Sequence, residues 1–182
     1  DATDHWCLDI LEENDLQGLP QSAIDLALKT AEDASLPGWR FSLQAPSYIP
    51  FMMFCENRTL RETMYEAYVT RASDTGPDAG KFDNGFLMVQ ILALRAEMAS
   101  LLGFADYAQY ALEDRMADSA QEVSEFLQTL AGRAKEAAIE ELDTLRRFAL
   151  TERGEQNLEA WDIAFYSEKL KQSLYAFSDE EI

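Results

Sequence analysis

Apolar positions in this chain recur mostly at spacings of three and four, the signature of helices with one buried face. Asp4 can cap a first helix to about residue 13, with Trp6, Cys7, Ile10 and Leu11 on one side. Gly18-Leu19-Pro20 interrupts it. Ala23, Ile24, Ala27, Leu28 and Ala31 then mark a second helix to about residue 34. After the Pro37-Gly38 turn, Trp39, Phe41 and Leu43 alternate with Arg40, Ser42 and Gln44. That period of two predicts one short strand, about 39–45. A lone strand leaves backbone groups unpaired. No other segment alternates as clearly, so its partner is expected outside the chain.

Helical spacing resumes afterwards. Ser47 can cap a short helix over 48–55, and Asn57 a helix to about residue 72 that carries Leu60, Met64, Tyr65 and Tyr68. Gly76-Pro77 and Gly80 make 73–83 a polar loop. Asp83 opens a helix to residue 102, closed by Gly103, and Asp106 opens a shorter one to about residue 116. Ser119-Ala120-Gln121-Glu122 is a capping box. It starts a stripe of Val123, Phe126, Leu127, Leu130, Ala134, Ala138, Leu142, Leu145 and Ala149. The stripe predicts one long helix, about 119–153 and roughly 50 Å from end to end. Asp162 is expected to cap a last helix to about residue 175. The fold class is mostly α: a multi-helix array over 1–182 with one long helix and one short strand.

Composition narrows the partners. The 182 residues suit one domain or one large lobe, and 47% are hydrophobic, enough for a core. The net charge of −19 repels phosphates and anionic lipid, which argues against nucleic-acid and membrane-surface partners. No apolar run approaches the roughly 20 residues of a membrane span. Cys7 and Cys55 lack CxxC spacing and read as two buried free thiols in a reducing cytoplasm. The last five residues, Ser178-Asp179-Glu180-Glu181-Ile182, are a capping box with no helix behind it, and Asp1 is no initiator. Both predict a piece of a longer protein.

Chemistry is sparse. His5 is the single histidine. An HExxH zinc site needs two histidines a helical turn apart, and a Ser-His-Asp or Cys-His triad could use only His5. His5 is expected to be an ordinary surface residue. The glycines of Gly76-Pro77-Asp78-Ala79-Gly80 lack the Lys-Ser/Thr of a phosphate loop. The acidic groups Glu12, Glu13, Asp15 and Asp179, Glu180, Glu181 lack calcium-loop spacing. Glu136 and Glu140 share a helix face with nothing to bury them. The most distinctive run is Trp161-Asp162-Ile163-Ala164-Phe165-Tyr166, read as an N-cap aspartate with aromatic core anchors or as an aromatic wall of a peptide groove. The residues alone also allow a freestanding acidic helical module that binds basic peptides or a partner helix.

The run Trp161, Asp162, Phe165, Tyr166, followed by Glu168 and Lys169, resembles the thimet oligopeptidase family of zinc metallopeptidases, and its bacterial members in particular. Further segments match in order: Pro46-Ser47-Tyr48-Ile49-Pro50, Leu60-Arg61-Glu62-Thr63-Met64-Tyr65, Thr70-Arg71-Ala72-Ser73, the stretch 76–84, and Leu101-Leu102-Gly103-Phe104-Ala105-Asp106-Tyr107-Ala108. Phe165 stands where many members have Tyr. The resemblance implies a larger two-lobed helical peptidase with a channel between its lobes. It also implies zinc held by an HExxH helix and a further glutamate, a metal-activated water, and short peptides as substrates. Those positions lie downstream of Ile182 in the family. No catalytic, cofactor-binding or metal residue is therefore assigned to this chain. The expectation is a cytoplasmic scaffold and channel-wall segment, inactive alone, whose partner is the catalytic lobe of the same polypeptide.

Overall fold

The structure is a computed structural model and describes residues 1–175. Among these the fold is mostly α, with eight helices, two 3-10 turns and a two-stranded sheet. The ending 178–182, with its capping box and acidic cluster, lies outside the described residues. The chain divides into two compact units, one of Asp1–Asp83 with Thr144–Ile182, the other of Asn84–Asp143.

In the first unit, helix α1 (Ala2–His5) is a single turn capped by the Asp1 carboxylate. The expected helix to residue 13 stops there. Cys7–Ile10 is instead strand β1, antiparallel to β2 (Trp39–Ser42), with Leu8 opposite Phe41 and Asp9 opposite Arg40. The correction has a physical cause. Leu8 and Ile10 point one way and Asp9 the other, so this stretch also satisfies a period of two. The open edge of β2 selects that period, since β1 satisfies its backbone groups. The partner expected outside the chain is thus within it, and the fold has two short strands rather than one. Arg40 grips Asp9 across the ladder at 2.7 and 2.8 Å. Gly38, at φ +79°, fits beside Ile10; a Cβ there would lie 2.1 Å from the Ile10 carbonyl oxygen.

Helix α2 (Gln21–Asp33) lays Ala23, Ala27 and Ala31 against the sheet, and its small residues let the backbones approach closely. Helix α3 (Ala45–Phe54) begins one turn earlier than expected, with Gln44 as N-cap. Ser47 is consequently not a cap. It is buried inside the helix, and its Oγ accepts the Ser42 N–H at 3.0 Å, tying β2 to α3. Phe41 and Phe51 meet edge to face at 4.8 Å in the centre of the core. Helix α4 (Arg58–Val69) is capped by Asn57, whose side chain accepts the Leu60 N–H. Residues 73–83 are a loop, as their glycines require.

The second unit contains α5 (Gly85–Leu101), α6 (Tyr107–Leu112) and the first part of α7 (Ala120–Arg153). Asn84, not Asp83, is the N-cap residue of α5, and its own side chain makes no cap hydrogen bond. Asp106 caps α6 as expected, but that helix ends at Leu112. The long helix is present. Its capping box is offset by one residue: Ser119 accepts the Glu122 N–H, while Glu122 reaches back to the Asp118 N–H. The apolar stripe of α7 is buried only at Leu145 and Ala149, against Phe165 and Tyr166 of α8 (Ile163–Tyr175).

Candidate functional site

The Trp161–Tyr166 run is where this chain concentrates buried charge. Glu159 is the N-cap of a 3-10 turn, Ala160–Asp162, that leads into α8. Asp162 occupies its third position, so the expected N-cap role belongs to Glu159. The Asp162 carboxylate accepts the Glu159 N–H at 3.1 Å in a reciprocal capping box. It is fully buried, and α4 supplies its counter-ions. Arg58 presents a fork, Nε at 3.0 Å and Nη2 at 2.7 Å from Oδ2; Arg61 Nη2 lies 2.8 Å from Oδ1.

Arg61 is itself almost completely buried. Its remaining donors are used: Nη1 bonds the Cys55 carbonyl at 2.7 Å and Nε the Trp161 carbonyl at 3.3 Å. Its guanidinium lies 4.0 Å from the centre of the Phe165 ring. Arg153 and Lys169 approach the same ring at 5.4 and 5.2 Å. Both also hold Glu56, Lys169 Nζ at 2.8 Å and Arg153 Nη1 at 2.6 Å. With Glu155, whose Oε2 lies 3.5 Å from Arg58 Nε, three carboxylates and four cations therefore brace residues 55–61 against 153–169, three of the cations around the Phe165 ring.

The electrostatics favour a brace over acid–base chemistry. Burial is the largest influence on Asp162 and would raise its pKa, but the bonds from Arg58, Arg61 and the Glu159 amide together hold the carboxyl below the usual range. Glu56 follows the same pattern: burial raises, and Lys169 and Arg153 outweigh it. Both remain ionised near neutral pH, so neither is poised to exchange a proton there. Burial pushes the nearby Cys55 thiol up to about 11, which leaves it a poor nucleophile. Phe165 and Tyr166 are buried, as the reading of this run as aromatic core anchors expects.

Sequence reading missed Arg58, Arg61 and Glu56. A signal existed: Arg61 shares a helix face with Met64, Tyr65 and Tyr68, at spacings of three, four and seven. A charge on an apolar stripe asks for a buried partner.

Elsewhere, His5 Nε2 is 3.9 Å from Asp78 Oδ1, contacts Lys81 Nζ, and packs on Phe82. Asp15 accepts from Asn57 Nδ2 at 2.9 Å. Cys55 is a buried free thiol; Cys7 is free but only half-buried. Among the described residues no group of three or more His, Cys, Asp or Glu side chains could hold a metal ion. The zinc implied by the resemblance thus finds no fitting donor set in them.

Residues 51–182, which include both arms of this brace, match Peptidase family M3. The chain belongs to that family. This M3 chain is 51% identical over 182 residues to oligopeptidase A of Haemophilus influenzae, covering all of the chain and 27% of that protein. It is 50% identical over the same length to oligopeptidase A of Escherichia coli, again 27% of it. A probable cytosolic oligopeptidase A of Arabidopsis thaliana is 35% identical over 191 residues, with all of the chain and 26% of that protein covered. The M3 chain therefore spans about a quarter of the length of these relatives.

Proposed function

We propose that this chain is a scaffold segment of a zinc-dependent oligopeptidase that hydrolyses short peptides in the cytoplasm. The zinc ligands and catalytic groups come from sequence outside Asp1–Ile182, and the segment alone is inactive. The observation that carries this reading is a mismatch. The chain aligns throughout its length with peptidases about four times longer, yet the buried Asp162 and half-buried Glu56 carboxylates of its conspicuous polar cluster are both committed to internal ion pairs. Carboxylates held in this way brace a scaffold. Two further observations fit: a charge of −19 disfavours nucleic acid, and among the described residues no helix is long and apolar enough to cross a membrane. Short peptides and the catalytic lobe of the same polypeptide are the partners.

The test compares the whole gene product containing this chain with the 182-residue chain, using a short quenched-fluorescence peptide. The whole product is expected to cleave it, to stop on addition of a chelator and to recover with zinc, while the 182-residue chain cleaves nothing. Zinc-dependent turnover by the short chain, or none by the whole product, defeats the proposal.

A further inference from the structure

Helix α5 carries apolar side chains all round its axis, with Gln90 and Glu97 together in the widest gap between them. Taking 100° per residue, Phe86, Leu94, Ile91, Met88, Leu92 and Val89 follow one another around its axis with no gap wider than about 80°. All six are between 47 and 70% exposed. Taking the lower end of about 150–250 Å2 for a large side chain, since five of the six are aliphatic, they leave on the order of 600 Å2 of apolar surface open. Leu87 and Leu101, also exposed, bring the total near the roughly 800 Å2 per side of a standard specific interface. A typical monomer's largest apolar patch is about 300–600 Å2. Charge hardly interrupts the surface, since Arg95 and Glu97 are the charged residues of this 17-residue helix. Arg95 lies over the Tyr107 ring at 4.9 Å.

A helix that is hydrophobic all round is stable only when enclosed. A helix facing a water-filled channel keeps a polar face instead. We infer that α5 is a central core helix of the intact peptidase, enclosed by apolar segments of the same polypeptide outside Asp1–Ile182, and that it does not line the peptide channel. The inference rests on the part of the proposed function that places further chain beyond this one. The room for those segments is visible in the relatives, which have nearly three quarters of their length outside the matched region. A second copy of this chain is a poor occupant. A two-fold dimer covers one face of a helix, whereas α5 must be covered on all.

Hydroxyl-radical footprinting read by mass spectrometry tests this on the whole gene product and on the 182-residue chain in parallel. Phe86, Leu94, Met88 and Leu92 sample the different faces. In the whole product all four are expected to label roughly fivefold less or better, the ratio of their present exposure to that of a core side chain. The protection should survive dilution. Full labelling of any one face makes α5 a wall helix and overturns the inference. Protection that vanishes on dilution assigns the surface to a second copy and overturns it too, as does concentration-independent protection already present in the 182-residue chain. Peptide cleavage measured on the same preparations separates the two claims. Cleavage with unprotected α5 sinks only this inference; protection without cleavage sinks only the proposed activity.

Discussion

Replacing Asp162 by alanine removes the one carboxylate that neutralises Arg61. In the native packing Arg61 is 2% exposed and Asp162 0%, so neither can recover water without local opening. The substitution deletes the Arg61 bond at 2.8 Å, the Arg58 fork and the capping bond to the Glu159 amide. Arg61 keeps its bonds to the Cys55 and Trp161 carbonyls, but it becomes a buried cation with no counter-charge. Leaving one member of a buried pair unpaired costs about 3–5 kcal/mol. Arg58 is 40% exposed, so its share is screened, and Arg58→Ala should cost about 1 kcal/mol. Trp6, Trp39 and Trp161 all lie in the unit that contains the brace, so tryptophan fluorescence during urea unfolding reports on that unit. With a slope of about 2 kcal/mol/M, Asp162→Ala should lower the midpoint by about 2 M, and Arg58→Ala by about 0.5 M. The double change Arg61→Met with Asp162→Leu should regain at least half of the loss, because it removes both charges and keeps the volume. The reasoning fails if Asp162→Ala costs under about 1 kcal/mol, or if Arg58→Ala costs as much as Arg61→Ala.

Three other outcomes are expected. Asp162 and Glu56 both titrate below the usual carboxylate range in the folded chain, so the stability they supply is present above about pH 4 and is lost as pH falls toward their folded values; acid unfolding followed by fluorescence should begin below about pH 4, and Glu56→Gln should flatten its slope. Gly38→Ala should destabilise well beyond Gly103→Ala in thermal melts. Both glycines have positive φ, which costs alanine about 1 kcal/mol, but only at Gly38 does the new methyl strike a carbonyl oxygen. Phe41→Ala, at a fully buried position against Phe51, should cost about 3–5 kcal/mol in the same denaturant assay; a loss below about 1 kcal/mol contradicts the packing.

The sequence by itself determined what depends on local spacing. The long helix, the cap residues Asn57 and Asp106, the glycine loop at 73–83 and the strand at Trp39 follow from neighbours three or four residues away, or from period two over a few residues. The ordered motifs from Pro46 to Lys169 also carried the family, which the match over residues 51–182 establishes. Tertiary structure decided everything that needed a distant partner. Cys7–Ile10 has residues compatible with helix or strand, and only the open edge of β2, about thirty residues on, chooses the strand. Ser47 looks like a cap until the Ser42 amide claims its hydroxyl. Asp162 looks like a helix cap until Arg58 and Arg61, a hundred residues earlier, surround it. The physical reason is common to all three. A polar or ambiguous residue settles on whichever partner is close in space, and chain contacts of that range leave no periodic trace in the sequence.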